Sequence, residues 1–131
     1  MGIRIFFGTI FLKSEINRLE QTSTVVAAIP IPRPFLTEDV TFRLGNAEAV
    51  SGKGTVEAMV GGFFSSISGM RHDIFKIWEH SNVVITHGNV TYIRKDSSEL
   101  SVPFANILKL ENDLVNEYLV YVDISQLFPA V

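Results

Sequence analysis

The chain has 131 residues, which fits a single domain, 1–131, with one hydrophobic core. Its formal net charge of −3 provides no basic surface, so neither nucleic acid nor an anionic membrane is a predicted partner. The chain has no cysteine, which excludes disulfides, thiolate nucleophiles and cysteine-ligated metals, and we expect a cytoplasmic location.

The first segment of the chain has the apolar spacing of a helix. Apolar side chains recur at i, i+3, i+4, i+7 and i+8, namely at Ile3, Phe6, Phe7, Ile10 and Phe11. This run is too short to span a bilayer, and we expect a first helix that continues to about Leu19. Pro30, Pro32 and Pro34 then exclude a helix, so the stretch 29–36 is predicted to be a rigid connector that lies against the domain.

A short strand and a second helix are predicted next. Residues 39–44 alternate between apolar and polar side chains, as a strand with one buried face does. Thr55 stands where a helix N-cap belongs, with Glu57 in the first turn to complement the helix dipole. The apolar residues that follow recur at helical spacing: Val56, Met59, Val60, Phe63, Phe64 and Ile67.

Four runs of alternating residues make up the rest of the chain, and turn-forming residues separate them. The predicted strands are 70–79, 83–94, 100–110 and 115–123. Helices in one half and an antiparallel meander in the other indicate an α+β fold with the helices gathered on one face of the sheet. A twisted sheet of this kind can curl around its helices into a cone with an internal pocket.

Common cofactor and catalytic motifs are absent from the sequence. The segment Gly52-Lys53-Gly54 lacks the other residues of a dinucleotide or phosphate loop, and there is no G-x-S-x-G nucleophile motif. The three histidines, His72, His80 and His87, do not have a metal-binding spacing. We therefore predict no cofactor and no metal.

A succession of short motifs carries a family resemblance. These are Ser51-Gly52-Lys53-Gly54-Thr55, Arg71-His72-Asp73 leading to Ile77-Trp78-Glu79, Val90-Thr91-Tyr92, Pro103-Phe104-Ala105-Asn106 and Tyr118 to Asp123. In order and spacing they resemble a SnoaL-like member of the NTF2-like superfamily, over Thr37 to Leu127. The resemblance implies a cone of curved sheet closed by helices, an internal pocket, and homodimers through the outer sheet face. Relatives include ketosteroid isomerases, limonene epoxide hydrolases and polyketide cyclases.

The pairing of the first two long strands predicts which side chains face the pocket. A two-residue turn at His80-Ser81 would set Trp78 opposite Val83 and Asp73 opposite Gly88. With the family's orientation, the inward side chains then include Asp73, Phe75, Val90, Tyr92, Phe104, Asn106, Tyr118 and Val120. A slip of one residue would invert these assignments.

Three of these residues are candidate catalytic groups. Asp73 is a candidate general base, because desolvation among apolar neighbours would raise its pKa; the alternative is a solvated carboxylate paired with Arg43 or Arg71. By the resemblance, Asn106 occupies the position of an acid that donates to a developing enolate oxygen, and Tyr92 can donate a hydroxyl. The alternative for both is a satisfied polar group in the core.

The remaining candidates bind substrate or line the pocket. Arg43 could hold an anionic end of the ligand, although a surface arginine is the alternative. The walls would be formed by Phe75, Val90, Phe104, Tyr118 and Val120. The isomerases' base falls on Arg43 here, and the epoxide hydrolases' Asp-Arg-Asp set falls on Val90, Gly88 and Val120, so neither mechanism is predicted.

An apolar band is predicted on the outer face of the sheet. Trp78 and Ile85 lie on this band with Ile74, Val83 and Tyr121, and the band is large enough to indicate a homodimer interface. The position of His72 stays open between the interface and the pocket.

Three functions are compatible with these expectations. The first is a cofactor-free isomerase, cyclase or hydratase acting on a small apolar oxygenated substrate, with Asp73 as the proton acceptor. The second is a non-catalytic protein that binds a small apolar molecule in the cone. The third is a dimeric accessory protein with a vestigial pocket. Fold alone does not choose among them.

Overall fold

The structure is a computed structural model that describes the backbone of residues 3–6, 9–12 and 24–27, and residues 33–128 with their side chains. The first elements are β1 (Ile3–Phe6), β2 (Thr9–Leu12), β3 (Thr24–Ala27) and a 3-10 turn at Arg33–Phe35. They are followed by β4 (Leu36–Leu44), β5 (Val50–Ser51), α1 (Lys53–Ser65), β6 (Gly69–His80), β7 (Val83–Ile93), β8 (Glu99–Glu111) and β9 (Leu114–Val122).

Seven of these strands form one mixed sheet in the order β3-β6-β7-β8-β9-β4-β5. All neighbours are antiparallel except β4 and β9, which run parallel. The helix α1 follows β5 and contacts β4 and β5. The predicted α+β class, a curved sheet with helical structure on one face, is confirmed. No helix in the described part of the chain is long and apolar enough to cross a membrane.

The predicted first helix is wrong where the structure describes that segment. β1 and β2 form a separate two-stranded antiparallel sheet, with Ile3 opposite Leu12. Short apolar runs fit both helical and strand periods, and β-branched and aromatic residues favour strands. The rest of the predicted helix, 13–19, and the connector residues 29–32 lie outside the described residues.

The helix α1 begins earlier than Thr55, the predicted N-cap. Its N-cap is Gly52, whose φ of 99° is accessible to glycine, and no side chain caps the helix. The helix ends at Ser65, so Ile67 lies beyond it but is still buried in the core.

The four long strands are within one residue of their predicted bounds, but the first turn is displaced. The turn residues are Ser81 and Asn82 rather than His80-Ser81, and His80 pairs with Val83. Ser81 has a φ of 54°, and the Asn82 side-chain amide donates to the Leu110 carbonyl at 2.9 Å. The turn is therefore held to the end of β8 as well as to its own strands.

A β-bulge at Phe75 changes the pairing of β6 with β7. Ile74 pairs with Gly88, whereas Lys76 pairs with His87, so Phe75 is the additional residue. Gly88 permits this arrangement, because a Cβ at that position would overlap the Asp73 carbonyl oxygen and lie 3.1 Å from the Phe75 nitrogen.

The bulge inverts the side-chain alternation along β6. His72 and Ile74 are buried before the bulge, and Ile77 is buried after it. The prediction that Asp73 and Phe75 point inward is therefore wrong, and Phe75 is 44% exposed. The orientations predicted for β7, β8 and β9 agree with the structure. Their inward side chains pack with buried residues of β4, β6 and α1 in the core.

We predict that Gly88→Ala lowers the free energy of unfolding by about 1–3 kcal/mol, because the added methyl group must displace the backbone of the bulge. Denaturant unfolding measures the change. Gly62→Ala is the matched control: a Cβ there meets nothing within 4 Å, and alanine should stabilise the helix by about 0.5–1 kcal/mol. Equal effects of the two substitutions would contradict the role assigned to Gly88.

Candidate functional site

A cavity lies between α1 and the inner face of the sheet. Its lining residues come from α1 and from five strands: Phe42, Leu44, Val60, Phe63, Phe64, Met70, His72, Tyr92, Asn106, Tyr118 and Val120. The space between these atoms is about 420 Å³ when it is counted out to the mouth of the cavity. The part that the centre of a water molecule can occupy is about 40 Å³, so the cavity is narrow.

Four polar side chains project into this apolar space from four adjacent strands. His72 lies on β6, Tyr92 on β7, Asn106 on β8 and Tyr118 on β9. None of the lining residues within 33–128 carries a carboxylate, an ammonium or a guanidinium group. A mostly apolar pocket with a few convergent polar groups is the usual composition of a small-molecule site.

His72 is a neutral imidazole at physiological pH. Burial lowers its pKa from 6.5 to about 3, because the apolar surroundings disfavour the charged form. The imidazole packs edge-on against the Phe104 ring, with 4.9 Å between the ring centroids. A neutral imidazole has one donor and one acceptor nitrogen, so it can form a hydrogen bond with a ligand without bringing a charge into the cavity.

The two tyrosines are neutral hydrogen-bonding groups. Burial raises the pKa of Tyr92, and burial followed by the proximity of Tyr92 raises the pKa of Tyr118. Tyr92 makes an edge contact with Phe63 at 5.9 Å, and Tyr118 makes one with Phe42 at 5.3 Å. These contacts orient both rings, and both hydroxyls remain protonated across the physiological pH range.

Asn106 is 1% exposed and lines the cavity. Within residues 33–128, its Oδ1 has no hydrogen-bond partner, and the same is true of the Thr86 hydroxyl oxygen. A buried polar atom without a partner is costly, so such an atom beside a cavity marks a place where a ligand or a water can bind.

The structure brings together only part of the predicted site. Of the predicted catalytic and binding residues, Tyr92, Asn106, Tyr118 and Val120 line the cavity. Val90 and Phe104 are buried in the core but do not line it.

Asp73, Phe75 and Arg43 lie elsewhere. Asp73 alternates with the buried His72 and Ile74, and it pairs with Asn89 on the opposite side of the sheet from the cavity. Arg43 also points to the outer face, where its guanidinium carbon lies 5.2 Å from the centroid of the Tyr121 ring. Strand alternation gives the inner positions of β4 to Phe42 and Leu44 instead.

Several lining residues were not predicted as site residues. They are Phe42, Leu44, Val60, Phe63, Phe64 and Met70. His72, for which the sequence does not decide between the pocket and the interface, also lines the cavity. The apolar spacing of α1 did indicate the buried side of the helix, so the signal for three of them was present. The sequence does not show how far the helix lies from the sheet, so it did not show that these side chains line a cavity.

The outer face carries Trp78, Ile85 and Tyr121 of the predicted apolar band, whereas Ile74, which was predicted to join them, is buried in the core because it precedes the bulge. Trp78 is 44% exposed and stacks on His87, with 5.4 Å between the ring centroids. Ile85, Pro103, Ala105 and Tyr121 complete a shallow groove around them. Among the described residues, no group of three or more His, Cys, Asp or Glu side chains could hold a metal ion.

We predict that His72 makes stability depend on pH. The pKa of His72 is lower in the folded state than in the unfolded state. Its contribution to the free energy of unfolding is therefore fully present above pH 6.5 and is lost as the pH falls toward 3. The free energy of unfolding should fall by about 2 kcal/mol between pH 7 and pH 5. Denaturant unfolding at both pH values tests this.

His72→Gln should remove most of that difference, whereas His80→Gln, at the exposed last residue of β6, should retain it. A His72→Gln protein with the wild-type pH dependence would contradict the assignment.

Comparison with solved structures identifies the fold. A candidate SnoaL-like polyketide cyclase from Jannaschia sp. CCS1 matches with a TM-score of 0.64 and 14% identity, over 72% of both chains. An LEH-like epoxide hydrolase from M. tuberculosis matches with a TM-score of 0.60 and 12% identity, over 70% of this chain and 68% of that one. A protein from Catenulispora acidiphila DSM 44928 with a ketosteroid isomerase-like fold, in complex with trimethylamine, matches with a TM-score of 0.61 and 16% identity, over 71% and 73%.

At these identities the likeness concerns the fold, which is NTF2-like. The curated proteins include no match to this chain. The sequence model of the SnoaL-like domain matches residues 33–118, which is more than half of the chain and contains α1 and nearly all of the cavity. The chain therefore belongs to the SnoaL-like domain family.

Proposed function

We propose that this protein binds a small, neutral, mostly apolar molecule that carries a hydrogen-bonding oxygen. The observation that carries the proposal is the composition of the cavity: seven apolar side chains surround His72, Tyr92, Asn106 and Tyr118, with no charged group among them. A wall of this composition selects a ligand by its shape and by a polar group that it carries.

The absence of charged groups among the described lining residues argues against an ionic ligand. A carboxylate or an ammonium group would lose its hydration in the cavity, and no opposite charge among the lining residues would compensate for the loss. The narrow space also favours a slender or flat molecule over a bulky one.

Non-catalytic binding accounts for the site better than acid/base catalysis. Asp73, the hypothesised proton acceptor, lies outside the cavity. His72, with a pKa of about 3, is a weak base, and tyrosines with raised pKa values are weak acids. The polar groups therefore orient a ligand in this proposal. The structural similarity to a cyclase and to an epoxide hydrolase supports a small molecule as the occupant of the cavity. A catalytic step would need a stronger base than the cavity offers.

The groove on the outer face supports a second part of the proposal, a homodimer formed through that face. Trp78 and Tyr121 are both more than 40% exposed, and they lie beside Ile85, Pro103 and Ala105. Exposed aromatic side chains around an apolar groove are typical anchors of protein interfaces.

We predict that Val60→Trp blocks ligand binding, because residue 60 lines the cavity and the indole would occupy it. The probes are cyclohexanol and cyclohexanone. Their binding is measured from the amide chemical shifts of the protein in NMR titrations. Binding should weaken by roughly tenfold or more.

Ala58→Trp, at an exposed position of the same helix, should bind the probes as the wild type does. Native mass spectrometry of the freshly purified protein provides a second measurement, because it detects a small molecule retained from the cell. A wild-type protein that retains nothing and binds neither probe would contradict the proposed function.

We predict that Trp78→Ala shifts the protein from dimer to monomer, because it removes the largest exposed aromatic side chain of the groove. Sedimentation velocity across a range of concentrations measures the assembly state. Met59→Ala, at a similarly exposed position on α1, is the control and should remain dimeric. A wild-type protein that is monomeric at all concentrations would refute the dimer.

A further inference from the structure

Asn106, which lines the cavity, and Thr86, which is opposite it on the neighbouring strand, are buried polar side chains that need a partner that residues 33–128 do not supply. Asn106 is 1% exposed and Thr86 is 0% exposed, and neither Asn106 Oδ1 nor Thr86 Oγ1 has a hydrogen-bond partner within that range. Buried side-chain oxygens are nearly always satisfied in folded proteins, so two such atoms side by side indicate a missing group.

The sheet register brings these two side chains together. Thr86 on β7 is directly opposite Asn106 on β8, and both point to the inner face. The Cβ atoms of directly opposite residues in an antiparallel pair are about 4.5–5.5 Å apart, so one atom can lie within hydrogen-bonding distance of both side chains. The flanking partners in the sheet, Ile77 and Val120, are apolar and offer no alternative.

The chemistry of the two atoms selects the missing group. Asn106 Oδ1 only accepts a hydrogen bond, whereas the Thr86 hydroxyl can donate one as well as accept one. A ligand hydroxyl satisfies both, because it donates to Asn106 and accepts from Thr86. A carbonyl or ether oxygen has no proton to donate and leaves Asn106 Oδ1 without a partner.

We propose that Thr86 and Asn106 form a subsite for the hydroxyl group of the ligand, which makes the preferred ligand a small alcohol or phenol. This inference rests on the proposed binding function and specifies the class of ligand. It gives Asn106 the role of an acceptor, in contrast to the donor role that the family resemblance implied.

The first experiment compares two probes with the same number of non-hydrogen atoms. Cyclohexanol has a hydroxyl, and cyclohexanone has only an acceptor oxygen. NMR titration of the wild-type protein should give a dissociation constant for cyclohexanol that is lower by roughly 10- to 100-fold. Thr86→Val and Asn106→Leu, which are near-isosteric, should each reduce that ratio toward one.

Thr91→Val is the matched control on the same strand. The Thr91 hydroxyl lies on the opposite face and shares a hydrogen bond of 2.7 Å with Ser101, so this variant should retain the wild-type ratio.

The second experiment measures the stability of the protein without a ligand. Thr86→Val should raise the denaturant midpoint, because it removes a buried hydroxyl that has no partner. Thr91→Val should lower the midpoint, because it breaks a hydrogen bond. A threonine with only a structural role would lower the midpoint on replacement and leave the probe ratio unchanged, and this outcome would overturn the subsite.

The outcomes separate this inference from the proposed function. If the wild type binds both probes equally and Val60→Trp abolishes both, the cavity binds small molecules but the hydroxyl subsite is refuted. Equal binding is also the result expected if a water molecule permanently occupies the space between Thr86 and Asn106. If the wild type binds neither probe and retains no small molecule on purification, the proposed binding function fails as well.

Discussion

The β-bulge at Phe75, packed against Gly88, is the constraint on which the rest of the site depends. One additional residue in β6 changes which side chains face the cavity along the first half of the strand. It brings His72 inward and turns Asp73 outward. Without the bulge, a carboxylate would take the place of a neutral imidazole, and the cavity would suit a different class of ligand.

The second feature of the site is the burial of neutral polar groups in an apolar space. Desolvation keeps the His72 imidazole neutral and keeps the Tyr92 and Tyr118 hydroxyls protonated, so these described wall residues stay uncharged over a wide pH range. Within residues 33–128, Asn106 Oδ1 and the Thr86 hydroxyl oxygen have no hydrogen-bond partner, and buried atoms of this kind reduce the stability of the empty protein, because hydrogen bonds to water are lost without replacement. A ligand that restores them gains affinity from the same groups.

The sequence predicted the fold better than the site, and the reason is physical. Period-two alternation located the four long strands, and the orientation implied by the family resemblance placed Tyr92, Asn106 and Tyr118 on the inner face, where the structure has them. Strict alternation through β6 leaves no place for an inserted residue, so the bulge and the orientation of Asp73 were missed. The spacing of His72, Ile74 and Ile77, with two residues instead of one before Ile77, was the available signal. The segment at the start of the chain was misassigned because its apolar residues fit two periods.

The bulge also connects the cavity with the outer face of the same sheet. Because the alternation of β6 changes at Phe75, Ile77 can be buried while Trp78 is exposed and stacks on His87. The Phe75 ring itself lies on the outer face, with 5.9 Å between its centroid and that of the His87 ring. A single backbone irregularity therefore sets both the chemistry of the cavity wall and the aromatic surface behind it. A change in the register of β6 would alter both faces at once, so the ligand site and the outer surface are structurally dependent on each other.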